Sequence, residues 1–182
     1  MPTRNKPDAI ALLKADHRKV EDLFAKFEKT RDVDRKKSLV QEICTELSIH
    51  ATIEEEIFYP ACKDQIKDED LLDEAYVEHD GAKVLIAELV DSDPDAEFYD
   101  AKVTVLSELI KHHVKEEERA AEGIFAEAKK AGLDMDALGQ RLQERKQALM
   151  AQFASGRLPP PQTRSYTGHK LVQSEPVEAA AD

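Results

Sequence analysis

Apolar residues recur at alternating steps of three and four in four separate stretches of this chain, and in each stretch the stripe is interrupted near its middle by a histidine. Such steps trace one buried face of an α-helix packed against others. The first stripe is Ile10, Leu13, His17, Val20, Phe24 and Phe27. The second is Val40, Ile43, Leu47, His50, Glu54, Ile57 and Ala61. The third is Leu72, Ala75, His79, Ala82, Ile86 and Leu89, and the fourth Val103, Leu106, Ile110, His113, Glu117, Ala120 and Ile124. The chain is therefore expected to fold as an all-α, antiparallel up-down-up-down four-helix bundle, because short connections leave consecutive helices as antiparallel neighbours.

Local signals set the helix ends. The first helix begins near Pro7 and Asp8, which suit a first helical turn. The polar segment Lys29–Asp34 breaks the chain, with Asp32 or Asp34 as the next N-cap. The second helix is expected to run to Tyr59–Pro60 or a turn beyond, residues 63–70 to connect, and the third helix to span roughly 69–91. Asp91-Ser-Asp-Pro-Asp95 reads as a stop followed by a start, with Asp93 as cap and Pro94 as first helical residue. A long fourth helix, about 94–130, is then closed by Gly132. A fifth, about 134–153, starts at an Asp134 cap with a sparser stripe (Met135, Leu138, Leu142, Leu149, Phe153). It either packs across the bundle or contacts another chain, which leaves a monomer or weak homodimer. After Ala154, the prolines at 159–161 and the polar, Ala-rich end read as a flexible tail. The expected organisation is a bundle over 8–132, an accessory helix over 133–153 and a tail over 154–182.

Composition narrows the function classes. With 35% charged residues, 5% aromatic and no Trp in 182 residues, this is a helical chain long enough for a real core. A formal net charge of -12 argues against a nucleic-acid partner or an anionic membrane. No apolar run reaches membrane-spanning length and the start does not read as a signal peptide. Cys44 and Cys62 sit on one expected helix, about 27 Å apart by helix rise, too far for a disulfide. Unpaired thiols without an export signal give a cytoplasmic expectation.

The polar residues in the seams carry the chemistry. A lone histidine on an apolar face is ordinarily a hydrogen-bonded core residue. Here four of the six histidines occupy seam positions, and His50/Glu54 and His113/Glu117 each place a carboxylate one turn beyond an imidazole. His112/Glu116 is a competing pair, but its stripe runs through Glu108 and Leu109 and is more exposed. Glu55, Glu56, Glu116 and Glu118 read as solvated or supporting residues, Lys83 as a surface lysine with a buried stem, and His169 as part of the tail. Buried carboxylates beside buried imidazoles are unfavourable unless something pairs with both. Facing seams would bring His17, His50, Glu54, His79, His113 and Glu117 together as donors to metal ions. Mixed imidazole and carboxylate donors suit iron, with manganese or zinc ranked below it.

The phrases His50-Ala-Thr-Ile-Glu54-Glu-Glu-Ile-Phe-Tyr-Pro60, Glu78-His79-Asp-Gly-Ala-Lys83 and Lys111-His-His113-Val-Lys-Glu-Glu117-Glu resemble the hemerythrin family, and within it the bacterial HHE cation-binding branch. The resemblance covers about residues 8–130. It implies a non-haem centre of two iron ions, oxo- or hydroxo-bridged, with Glu54 and Glu117 bridging and the four histidines terminal. Oxygen-carrying hemerythrins have a fifth histidine one turn after the third-helix ligand, where this chain has Lys83. The ligand set is closer to the di-iron proteins of iron–sulfur cluster repair, although this chain lacks the additional N-terminal cysteine domain typical of them. Two classes of function are implied: a protein that binds or senses O2 or NO or handles iron, and an enzyme acting on peroxide or NO or in repair of damage. For the enzyme, Glu56 or Tyr59 would be the candidate proton relays.

Overall fold

The computed structural model describes residues 8–154, 158–168 and 172. The helices are α1 (Ala9–Lys29), α2 (Val33–Ile53), a π turn (Glu54–Phe58) running straight into α3 (Tyr59–Cys62), α4 (Asp70–Val90), α5 (Tyr99–Glu117), α6 (Ile124–Lys130) and α7 (Met135–Gln152). Asp8, Asp32 and Asp134 each accept a hydrogen bond from a backbone N–H three residues on, so all three helix starts are held by side-chain caps. Helices α1, α2, α4 and α5 form the bundle: α1 packs on α2, α2 on α4, α4 on α5 and α5 on α1. The expected four-helix layout is the one observed.

The core is divided. One apolar cluster, with Leu13, Ile53, Phe58, Leu72, Phe125 and Leu142, fills one end. A second, with Val20, Phe24, Ile43, Leu47, Leu106 and Ile110, fills the other. Between them lies a buried polar layer that includes all six seam histidines and glutamates.

Three segments differ from the sequence expectation. The π turn inserts one residue into the second helix: the Tyr59 N–H donates to the Glu54 carbonyl, five residues back. The buried set therefore rotates by one position, so that Phe58, Tyr59 and Cys62 face inward while Ile57 and Ala61 are only partly buried. Asp93 and Pro94 form a turn instead of starting a helix. The Asp93 carboxylate accepts from Asp95 N and its carbonyl from Ala96 N, a turn with Pro in its second position.

The long fourth helix is two helices. It stops at Glu117, Ala121 adopts a positive φ of 69°, and Gly123 starts the short α6. A Cβ on Gly123 would lie 2.4 Å from the carbonyl oxygens of both Glu116 and Glu117, so only glycine allows the chain to double back this closely. Ala120 is exposed as a result, while Ile124 and Phe125 enter the core. Gly132, with φ 76°, closes α6: Leu133 N donates to Ala128 O and Gly132 N to Lys129 O.

Helix α7 packs on α1 and α2, so its apolar side is met within the chain. It also brings Lys146 to Asp16 and Arg145 to Glu56. Residues 158–168, expected to be part of a flexible tail, have no regular structure but lie against α4, hydrogen-bonded to Asp80 and Lys83. The remainder of that tail, including His169, lies outside the described residues apart from Val172. Among the described residues no helix is long and apolar enough to cross a membrane.

Candidate metal centre

His17 on α1 and His79 on α4 come from mid-helix, His50 and His113 from the last turns of α2 and α5, and all four rings are buried. They meet in two pairs. His17 Nε2 lies 3.0 Å from His50 Nε2, and His79 Nε2 lies 3.1 Å from His113 Nε2. The two glutamates tie the pairs together. Glu54 Oε2 is 3.1 Å from His50 Nε2 and 3.5 Å from His79 Nε2. Glu117 Oε2 is 3.4 Å from His17 Nε2 and 3.5 Å from His113 Nε2. Both carboxylates are at most 1% exposed. All six residues picked from the seams thus converge, and each glutamate touches one histidine of either pair.

Four further carboxylates stand behind the rings. Glu118 accepts from His17 Nδ1 at 2.8 Å, Glu55 from His79 Nδ1 at 3.0 Å and Glu78 from His113 Nδ1 at 2.7 Å. Asp16 Oδ2 lies 3.6 Å from His50 Nδ1. Outer carboxylates of this kind fix the tautomer and raise the basicity of the inward nitrogen. Asp16 and Glu78 are the residues the seam pattern missed, since neither lies on a stripe. The signal was adjacency: Asp16 precedes His17 and Glu78 precedes His79, while Glu55 and Glu118 follow the two inner glutamates. Each supports a ring other than its chain neighbour's. Glu56 is not in this layer; it is exposed and paired with Arg145.

The geometry is that of a site built for positive charge. With both Nδ1–H groups of His79 and His113 given to carboxylates, neutral rings would face each other with two bare Nε2 lone pairs. Glu54 Oε1 and Glu117 Oε2 are enclosed with no hydrogen-bond partner, a costly arrangement unless a cation sits between them. Without a metal, protons take that place. Burial works against a charge on His50, yet the Glu54 and Asp16 carboxylates hold it up at about 10. Burial likewise opposes ionisation of Glu117, yet His113 and His17 hold it down at about 2. His113 is raised, against its burial, by Glu117 and Glu78, while burial and the neighbouring His113 push His79 down. Three or four imidazole and carboxylate atoms lie within 4.8 Å of one another in each of two sets, His17/His50/Glu54/Glu117 and Glu54/His79/His113. The donor set therefore fits a bound metal cation.

Tyr59 reaches this layer because of the π turn. Its hydroxyl donates to Glu117 Oε1 at 2.8 Å and lies 3.4 Å from both Glu54 Oε2 and His79 Nε2. Burial and the two carboxylates push its ionisation well above the usual tyrosine value, so it stays a neutral donor. Phe125 stacks on His17 with ring centroids 5.9 Å apart, closing one side. Lys83 is neither on the metal side nor free in solvent: its ammonium contacts Glu55, Asp80 and the Gln162 carbonyl. The competing pair His112/Glu116 faces outward, with the His112 side chain 61% exposed.

Comparison with known proteins agrees with this geometry. A stretch of 107 residues, 59% of this chain, is 28% identical to part of a protein described as a DNA nickase from Nostoc sp. (strain PCC 7120), of which it spans 30%. The crystal structure of a hemerythrin HHE cation binding domain-containing protein from Mycobacterium kansasii superposes with a TM-score of 0.67 at 22% identity, over 82% of this chain and 91% of that one. Likeness at that identity speaks to the fold alone. Residues 8–125 match the hemerythrin HHE cation binding domain, and the chain belongs to that family.

Proposed function

We propose that this protein is a non-haem di-iron protein, with His17 and His50 holding one ion, His79 and His113 the other, and Glu54 and Glu117 bridging them. The observation that carries the reading is the pair of fully buried carboxylates, Glu54 and Glu117, each with Oε2 within 3.5 Å of one histidine from either facing imidazole pair. Bound iron would supply one-electron redox chemistry and open positions for a small ligand: O2, NO or peroxide. The protein's own contribution is legible residue by residue. Val20 and Ile110 place apolar wall beside the rings. Glu55, Glu78 and Glu118 keep three of the imidazoles oriented. Tyr59 holds a proton 2.8 Å from Glu117.

Binding or sensing of a diatomic ligand, or iron handling, is the reading favoured here. The alternative is an enzyme that reduces peroxide or NO, or acts in repair of oxidative or nitrosative damage, and the buried Tyr59 hydroxyl is what favours it, as a proton source inside the layer. Two unpaired, buried thiols suit action in the cytoplasm. The acidic charge disfavours a nucleic-acid role, and the DNA nickase likeness covers too little of that protein to carry its activity here. The test is to reduce the iron-loaded protein and mix it with O2 or peroxide. A stable adduct spectrum supports binding; fast oxidation with repeated turnover of peroxide supports the enzyme. Absence of any spectral response to O2, NO and peroxide would overturn both.

A further inference from the structure

Beside the four histidines lies a partly open cavity of about 600 Å3 whose lining includes Leu158, Pro159, Pro160 and Pro161. A water molecule occupies about 30 Å3 in the liquid, so the chamber is many times larger than a diatomic ligand requires. Residues 158–164 line it as part of its wall. Three successive prolines suit that task, because they carry no backbone N–H that needs a partner and they keep the chain extended.

This wall segment is fastened at one place. Asp80, on α4, is only 1% exposed. Its Oδ2 accepts three hydrogen bonds from the wall segment: from Arg164 N at 2.7 Å, Ser165 N at 2.6 Å and Ser165 Oγ at 2.7 Å. Its Oδ1 takes Lys83 Nζ at 3.3 Å, and the same ammonium donates to the Gln162 carbonyl at 3.0 Å. Every hydrogen-bond partner of Asp80 among the described residues is thus the wall segment or Lys83. A buried carboxylate is tolerated only when its oxygens are satisfied, so Asp80 is buried because the segment lies on it. Two further contacts agree: the Arg164 guanidinium lies 5.0 Å from the centre of the Tyr76 ring, and the Tyr166 hydroxyl sits against Gly81, 3.4 Å from where a Cβ would be.

We propose that residues 158–165 are the access-determining wall of the histidine chamber, and that Asp80, together with Lys83, is the latch that holds the wall in place. The size of molecule that reaches the paired imidazoles is then set by the C-terminal segment and not by the bundle alone. Release of the latch widens the chamber's opening while the four helices stay packed. The inference does not depend on which ion the site holds, and it gives a role to Lys83, which stands where oxygen-carrying hemerythrins have a fifth histidine.

The test uses the full-length, metal-free chain with Asp80→Ala and, separately, Lys83→Met. The second variant removes the ammonium that joins Asp80 to the Gln162 carbonyl, leaves the scissile bond unaltered and keeps the test valid if the first fails to fold. Two rates are read: trypsin cleavage after Arg164, identified by fragment mass, and diethyl pyrocarbonate modification of individual histidines. Loss of charge-assisted hydrogen bonds should speed cleavage after Arg164 roughly tenfold or more. Modification of His17, His50, His79 and His113 should rise with it, while exposed His112 is unchanged and helix content stays that of the parent. Wild-type cleavage in every variant that folds would overturn the latch. Faster cleavage with no change at the four histidines would overturn the wall.

Discussion

Glu78 precedes His79 in the chain but serves His113 on the neighbouring helix, accepting from its Nδ1 at 2.7 Å. The support for each ring thus comes from across a helix interface, which ties the orientation of the metal donors to the packing of the bundle. Glu78→Gln should leave the helices intact and weaken metal binding about ten- to a hundredfold. Competition with a calibrated chelator measures it, and an unchanged affinity would show that the carboxylate does not orient the ring.

Replacing both His50 and Glu54 with leucine removes a buried charged pair from between two apolar clusters. In chelator, the double variant should be more stable than the wild type by about 1–4 kcal/mol, since well-packed apolar residues often outperform buried ion pairs. It should also fail to bind metal at either position, because Glu54 borders both. Denaturant unfolding and a metal titration read the two effects. A less stable protein that still binds metal would mean that the polar layer serves the fold.

How far the site was legible follows from these same residues. The six converging histidines and glutamates lie on stripes whose period is that of the helix, so spacing alone placed them in the buried layer. Asp16 and Glu78 lie off the stripes and reach their partners across helix interfaces, so no periodicity within one helix reports them. Tyr59 shows the limit differently. Steps of three and four put Ile57 inward, but the one-residue insertion at the π turn turned Phe58 and Tyr59 to the core. Such an insertion leaves no mark on composition. The break between α5 and α6 was visible only as Gly123 inside an otherwise helical stretch, which by itself is a weak signal.

Gly123 offers a sharp test of that break. Gly123→Ala places a methyl group against two backbone carbonyls, which no side-chain rotation relieves. Thermal or denaturant unfolding should show a loss of about 1–3 kcal/mol. Stability equal to that of the wild type would mean that α5 and α6 are not held as close as described.

Cys44 and Cys62 should behave as inert core residues. Burial pushes both thiols up to about 12, with Glu117 and Glu54 adding to the effect at Cys62. At pH 8 only about one in ten thousand would be thiolate, the form that reacts. A disulfide reagent should leave the folded protein unlabelled and label both cysteines in guanidinium. Rapid labelling of the folded protein would contradict the packing around them.

The most direct measurement is the metal content, by mass spectrometry, of protein purified without added metal, read beside the His50→Leu/Glu54→Leu variant. Two facing imidazole pairs joined by two shared carboxylates predict about two irons per chain in the wild type and almost none in the variant. Wild-type protein with only trace metal, or equal metal in both, would contradict the account.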